Sequence, residues 1–144
     1  MREVLFRGTT VLTKEWLEGY GVFKDEQATC WLLLDNYGKA IRVIEASVGQ
    51  FTGLLDKNGK KVFEGDLVTC LFKATDRYLG NSNTKQATFL CEVRFEDGSF
   101  RLFNLQKGKA WKAWHSKLLS DVRVSELEVV GNVWDNAEMV EQIP

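Results

Sequence analysis

The sequence contains a single proline, Pro144, which is the last of its 144 residues. Because proline interrupts helices and strands most strongly, the interruptions inside this chain must come from glycine, asparagine and aspartate. The sequence also has only one histidine, His115, and lacks the spaced motifs that build zinc, calcium or nucleotide-phosphate sites. These absences give no support to a metal site, a cofactor or a histidine-based hydrolase triad.

Cysteine is also scarce. Cys30, Cys70 and Cys91 lie far apart, are odd in number and form no C-x-x-C motif. This usage predicts free, buried thiols in a reducing compartment. No signal-peptide pattern follows Met1, and no apolar run is long enough to span a bilayer. We therefore expect a cytoplasmic protein with no membrane partner.

The charge of the chain is nearly balanced, with 19 basic and 20 acidic residues. A net charge of −1 argues against nucleic-acid or membrane binding by the whole surface. The distribution is uneven, however, because residues 100–123 contain one acidic residue, Asp121, among six basic ones. The basic residues are Arg101, Lys107, Lys109, Lys112, Lys117 and Arg123.

Short β-favouring runs alternate with turn residues along the chain, most clearly at residues 35–38, 56–59 and 97–98. In residues 62–68 a glycine turn leads an acidic residue into a strand, which is typical of a small SH3-like barrel. We predict a mainly β fold, an SH3-like barrel with additional N-terminal strands and one or two short helices. A single domain over 1–144 is expected, with a possible division into an N-terminal β part, 1–53, and a barrel part, 54–144.

The helical signal is confined to two segments. Trp111, Trp114, His115, Leu118 and Val122 recur at steps of three and four, as on one face of an amphipathic helix. Residues 136–142 favour a short terminal helix.

Several blocks of sequence are informative beyond the composition of the chain. They are MREVLFRG at 1–8, WLEGY at 16–20, VGQFTGL at 48–54, DKNGKKVFEGDLV at 56–68 and EVVGNVWDN at 128–136. In these blocks, and in their order, the chain resembles the phage-associated YopX-like family. Two features depart from that pattern. Ala137 stands where the family often has proline, and residues 105–123 match nothing in the family core, so we interpret them as a lineage-specific insertion.

The resemblance implies a mainly β protein of bacteriophages and prophages, located in the cytoplasm of the bacterial host, with an unassigned biochemical role. No catalytic residue is carried over. The signature residues are interpreted as structural: Gly53, Asp56, Asn58, Gly59, Glu64, Gly65, Asp66, Gly131 and Asn132.

The segment 105–123 contains the one candidate binding surface. Its members are Lys107, Lys109, Trp111, Lys112, Trp114 and Lys117. Lysine can pair with phosphates while tryptophan stacks on bases, as in proteins that bind single strands. The alternative is a helix that packs its tryptophans against the barrel and leaves a solvated basic face.

Three functions therefore compete. The leading hypothesis is a non-enzymatic phage accessory protein that binds a protein partner or itself, as a homo-oligomer. The second is a nucleic-acid-binding module that uses the basic segment. The third is a hydrolase that uses Glu64 and Asp66, which would share one face of a regular strand. The sequence identifies no small-molecule substrate.

Overall fold

In the computed structural model, which describes residues 3–75, 84–106 and 116–141, the chain is mainly β and its strands form three antiparallel sheets. The strands are β1 Phe6–Thr9, β2 Trp16–Gly19, β3 Gly21–Asp25, β4 Cys30–Leu34, β5 Ala40–Val43, β6 Gly49–Leu55, β7 Lys61–Phe63, β8 Asp66–Thr75, β9 Thr84–Glu96, β10 Ser99–Asn104, β11 Ser116–Leu118 and β12 Leu127–Asn132. One short α-helix, α1, spans Ala137–Glu141, and 3-10 turns span Glu45–Ser47, Leu119–Asp121 and Val124–Glu126. Within the described ranges, no helix has the length and apolar character needed to cross a bilayer.

The chain divides into two compact units. Unit one comprises Met1–Leu54 and Lys61–Gly65, and unit two comprises Leu55–Lys60 and Asp66–Pro144. The turn at residues 55–60 therefore belongs to the second unit, although the strands on either side of it belong to the first.

Unit one contains a four-stranded sheet of order β2-β1-β6-β7 and a three-stranded sheet of order β3-β4-β5. The buried side chains of Leu5, Phe51 and Phe63 form a core cluster, in which the two phenylalanine rings have centroids 5.5 Å apart. The guanidinium of Arg7 lies between two aromatic rings, 4.8 Å from the centroid of Trp16 and 4.7 Å from that of Phe63. Aromatic packing thus places a charged residue next to the core without leaving it exposed.

One of the two turns of the three-stranded sheet was predicted. Residues 35–38 connect β4 to β5 as predicted, with Gly38 at a φ of +79°. The Asp35 carboxylate accepts hydrogen bonds from the backbone N–H groups of Tyr37 and Lys39. An aspartate that caps its own turn and a glycine in the left-handed region are the local determinants of this hairpin.

Unit two contains a five-stranded sheet of order β11-β10-β9-β8-β12. The Asp97-Gly98 turn was predicted, and both residues have positive φ, 53° and 77°, as the two-residue hairpin between β9 and β10 requires. One face of the sheet is the core, and its fully buried side chains alternate along the strands as a half-buried sheet demands. They include Val68, Phe89, Cys91, Val93, Leu102 and Leu127.

The predicted SH3-like barrel does not form. In the described part of the chain each sheet runs from one edge strand to another, so no first strand pairs with a last one to close a barrel. The strand that starts at Gly49 continues to Leu55. Gly53, with a φ of +89°, lies within that strand.

The helix predicted over residues 111–122 is wrong where the structure describes it. Ser116–Leu118 is a strand that pairs with β10, and Leu119–Asp121 is a 3-10 turn. Residues 107–115 lie outside the described residues. The open edge of β10 offers backbone hydrogen bonds to this segment, and that tertiary pairing outweighs the local helical spacing. The predicted terminal helix is present as α1.

Candidate functional site

The side chain of Asp56 connects the signature turn to β12. Only 3% of Asp56 is exposed. Its Oδ1 atom accepts hydrogen bonds of 2.9 Å from the backbone N–H groups of Asn58 and Lys60. Its Oδ2 atom accepts a third bond of 2.9 Å, from the backbone N–H of Val129. One carboxylate therefore closes a local turn and fixes a strand that lies far away in sequence.

The same contacts determine the charge of Asp56. Burial by itself raises the pKa of this carboxyl, but the three backbone N–H donors and the charge of Lys60 hold the pKa below its usual value of 3.8. The group is therefore ionised at neutral pH and has no proton to give to a substrate.

Two neighbouring residues strengthen the attachment of this turn. The backbone N–H of Lys57 donates to the carbonyl of Leu127 at 2.9 Å, and the Lys57 ammonium forms a 2.9 Å ion pair with Glu128. The Asn58 amide lies 3.5 Å from the same Glu128 carboxylate. Gly59 has a φ of +79°, which only glycine adopts without strain. These contacts fit the interpretation of the turn as structural.

The two carboxylates proposed for hydrolysis have different environments. The Oε1 atom of Glu64 is 3.4 Å from the backbone N–H of Gln50, and the Glu64 N–H donates to the Gln50 carbonyl at 2.9 Å. Gly65 follows with a φ of +90°. Asp66 begins β8 and is only 1% exposed. A carboxylate buried to this degree is not accessible to a substrate.

The last signature residues build the turn that leads from β12 into α1. The pairing of β12 with β8 is irregular between Val129 and Gly131. A Cβ atom on Gly131 would lie only 2.5 Å from Oδ1 of Asn136. That same oxygen accepts a 3.1 Å hydrogen bond from the backbone N–H of Asn132. Asn132 in turn accepts, through its own Oδ1, the N–H groups of Trp134 and Asp135.

The predicted basic surface falls mostly where the structure gives no description. Lys107, Lys109, Trp111, Lys112 and Trp114 lie outside the described residues. Lys117 lies on β11, opposite Leu102 of β10. The surface stays a prediction.

Two other basic side chains near this segment belong to the sheet. Arg94 and Arg101 are directly opposite each other on β9 and β10. Arg94 forms an ion pair with Glu92 and stacks on the ring of Phe103, 4.5 Å from its centroid. Arg101 donates to the Ser116 hydroxyl at 3.1 and 3.3 Å. Their charges are thus tied into contacts within the sheet.

The thiols of unit two are buried in the sheet. Burial raises the pKa of the Cys70 thiol, and it raises that of Cys91 to about 12. Neither thiol ionises near neutral pH, so neither is an effective nucleophile. The described ranges contain no group of three or more His, Cys, Asp or Glu side chains placed to hold a metal ion.

One surface was not identified from the sequence. The central strand of the three-stranded sheet buries Leu33 on one face, and the opposite face presents other apolar residues to solvent. We call this opposite face the Phe23 face; it consists of Gly21, Phe23 and Asp25 on β3, Cys30, Leu32 and Leu34 on β4, and Ala40 and Arg42 on β5. Phe23 is 46% exposed and Leu34 is 36% exposed. The signal that could have revealed it is the run Trp31 to Leu34, because four consecutive bulky apolar residues on a strand leave both faces apolar.

Comparisons with known proteins identify related chains. The sequence matches the model of the family described as YopX protein over residues 5–141. The fold is similar to that of protein EF1440 from Enterococcus faecalis, with a TM-score of 0.51, 20% identity, and coverage of 95% of this chain and 97% of that one. Protein yopX from Bacillus subtilis has a TM-score of 0.49 and 17% identity, with coverage of 96% and 98%. Likeness at these identities concerns the fold alone, and no curated protein matches the sequence.

Proposed function

We propose that this chain, which belongs to the YopX family, is a phage or prophage accessory protein of the bacterial cytoplasm that acts by non-enzymatic binding, and that its partner is a second copy of itself. The observation that supports self-association is the Phe23 face. Its half-exposed aromatic and aliphatic side chains are contiguous across three strands, and contiguous apolar surface is typical of protein interfaces.

The composition of this face is also that of an interface. Aromatic residues and arginine are enriched at protein interfaces, whereas lysine and glutamate are depleted. The Phe23 face contains one aromatic side chain, one arginine, one aspartate (Asp25, at the end of β3) and no lysine or glutamate. Arg42 is exposed and, among the described residues, forms no side-chain hydrogen bond or ion pair. Its guanidinium is therefore available to a partner.

The arrangement of the face is self-complementary. Phe23, Leu32 and Arg42 form one row across β3, β4 and β5. A two-fold axis parallel to β4, between two copies packed face to face, reverses this row. Phe23 of each copy then lies against the guanidinium of the other, while the central leucines meet. A two-fold interface makes each such contact twice, and an arginine on an aromatic ring is favourable by about 0.5–2 kcal/mol.

The size of the face sets the expected strength. Three short strands offer less area than the roughly 1,200–2,000 Å² of a standard stable interface. We therefore expect a dimer that forms and dissociates with concentration.

Sedimentation velocity over a wide range of protein concentration tests the proposal. The mean mass of the wild type should rise from monomer toward dimer, and Phe23→Arg should raise the dissociation constant by about tenfold or more because two guanidinium groups then face each other. Tyr37→Arg is the matched control, since Tyr37 is 95% exposed on the adjoining turn and outside the face. If the wild type stays monomeric at every concentration, the self-association proposal is wrong.

Nucleic-acid binding through the basic segment remains the competing proposal. It predicts quenching of tryptophan fluorescence by oligonucleotides that weakens steeply with salt and disappears when Lys109, Lys112 and Lys117 become glutamate. A hydrolase using Glu64 and Asp66 has less support, because Asp66 is buried.

A further inference from the structure

Asn58 is the only asparagine in the chain that is followed directly by glycine. Asparagine is chemically labile, because the backbone nitrogen of the next residue can attack its side-chain Cγ and displace the amide. Glycine hinders that attack least, since it has no Cβ atom. Asn58 and Gly59 are both exposed, so water reaches them. This pair is therefore the candidate site of a spontaneous modification.

The turn itself holds the attacking nitrogen away from its target. The Gly59 N–H donates to the carbonyl of Asp56 at 3.0 Å. Neither Lys57 nor Asn58 has a positive φ, so the turn is of type I with Asn58 as its third residue. A type I turn gives its third residue a ψ of about 0°, which turns the following nitrogen away from the Cβ side. A five-membered ring can therefore close only after the Asn58–Gly59 peptide has rotated out of the turn.

Contacts with β12 oppose that rotation. Oδ2 of Asp56 accepts the N–H of Val129 at 2.9 Å, and the Asn58 amide lies 3.5 Å from the Glu128 carboxylate. Oδ1 of Asp56 also accepts the N–H of Asn58 itself, at 2.9 Å. The reactive geometry thus requires a local opening in which the turn detaches from the strand.

We propose that Asn58 is a site of spontaneous deamidation whose rate is set by release of the turn at residues 56–60 from β12, a property independent of the proposed self-association. The Gly59 nitrogen forms a bond to Cγ of Asn58 while the bond from Cγ to the amide nitrogen breaks. The amide leaves as ammonia and takes with it the proton of the Gly59 nitrogen. Water then adds to either carbonyl of the cyclic imide, which opens to aspartate or isoaspartate.

Either product keeps the turn from reattaching fully. A carboxylate replaces the amide that faced Glu128, so an attraction becomes a repulsion between like charges. Isoaspartate also adds one methylene group to the backbone, and the hydrogen bonds within the turn cannot then all form again. The modification therefore converts a transient opening into a permanent one.

Peptide mapping by mass spectrometry, after incubation of the full chain at neutral pH, measures the rate. Deamidation at Asn58 should be at least about tenfold slower in the folded protein than in urea. Tyr37→Asn supplies a matched probe, because it places an asparagine before Gly38 in a turn with the same backbone hydrogen bond, from Gly38 to Asp35. Tyr37 is 95% exposed, and among the described residues the Asp35 carboxylate accepts no bond from a distant strand.

The two positions should differ within one molecule. In folded Tyr37→Asn protein, position 37 should deamidate at least about tenfold faster than Asn58, and the two rates should become similar in urea. Asp56→Ala should accelerate the reaction at Asn58 by a similar factor. Equal rates at the two positions of the folded protein would show that β12 does not control the reaction, and the proposal would be wrong. A rate at Asn58 that urea does not increase would also overturn it. The comparison of positions 37 and 58 keeps the test valid even if Asp56→Ala folds poorly.

Discussion

The backbone N–H of Val129 donates a 2.9 Å hydrogen bond to Oδ2 of Asp56, 73 positions earlier in the chain. Asp56 is buried and also accepts the N–H groups of Asn58 and Lys60 within its own turn. One side chain thereby joins the turn at residues 56–60 to β12, so we regard it as a principal structural residue of unit two.

Replacement of Asp56 should lower the stability of the fold markedly. Asp56→Ala leaves three backbone donors without their acceptor, and we expect the free energy of unfolding to fall by about 3 kcal/mol, because hydrogen bonds to charged groups contribute roughly 1.5–3 kcal/mol each and the freed donors regain some water. Equilibrium unfolding in urea measures the change.

Asp35 provides a control within the same protein. It caps a turn of the same form, with bonds from Tyr37 and Lys39 and a following glycine at the same φ of +79°. That turn is exposed, and among the described residues the Asp35 carboxylate accepts no hydrogen bond from a distant strand. Asp35→Ala should therefore lower the free energy of unfolding by only about 1 kcal/mol. Equal losses at the two positions would contradict the special role of the Val129 contact.

The charge of Asp56 predicts a specific dependence on pH. Its pKa is lower in the folded protein than the ordinary 3.8, so the carboxylate stabilises the fold above that value. The contribution is lost as the pH falls below 3.8 and through the folded pKa. The difference in unfolding free energy between wild type and Asp56→Asn should therefore be constant above about pH 5 and shrink below about pH 4. A difference that persists unchanged into strong acid would contradict this assignment.

Two glycines of β6 should respond differently to alanine. A Cβ atom on Gly49 would overlap the carbonyl of Glu64, whereas a Cβ on Gly53 would meet nothing within 4 Å. Gly53→Ala should therefore lower the free energy of unfolding by only about 1 kcal/mol, because the φ of +89° at this position is its one unfavourable feature for alanine. Gly49→Ala should lower the free energy of unfolding by more than about 2 kcal/mol, because the backbone at Glu64, in the turn after β7, must move. Thermal unfolding of the two variants tests which substitution is more destabilising. A smaller loss of stability for Gly49→Ala than for Gly53→Ala would show that the backbone at Glu64 moves aside at little cost.

The thiols should react in two classes. Cys70 and Cys91 are buried, and burial raises the pKa of both, that of Cys91 to about 12. Cys30 is partly exposed. Mass spectrometry after brief treatment of native protein with iodoacetamide should therefore find modification at Cys30 alone, with the other two reacting in denaturant. Rapid native modification of Cys91 would show that unit two opens readily.

The elements that were predicted correctly are those set by short-range chemistry. The turns around Gly38, Gly59 and Gly98 follow from an aspartate or asparagine one or two residues before a glycine, and these residues favour the turn in any context. Strands beside such turns follow from the alternation of apolar residues. Family membership also followed from sequence blocks alone.

What could not be predicted depends on partners distant in sequence. The spacing of Trp114, Leu118 and Val122 suits a helix, but residues 116–118 pair with β10. No local sequence pattern indicates that the edge of β10 is open for pairing. The bond from Val129 to Asp56 likewise needs two segments whose proximity only the fold creates. The barrel was predicted from the glycine turn at residues 62–68 and the succession of short strands, whereas closure depends on which strands pair.

The most direct test of the account is an exchange of the two residues that the proposed dimer brings together. Sedimentation velocity should compare wild type, Phe23→Arg, Arg42→Phe and the double variant over the same concentrations. We predict that Phe23→Arg alone raises the dissociation constant by about tenfold or more and that adding Arg42→Phe restores association, because each guanidinium again meets an aromatic ring across the two-fold axis. A double variant that stays monomeric while the wild type dimerises would contradict the arrangement, and a monomeric wild type would contradict self-association itself.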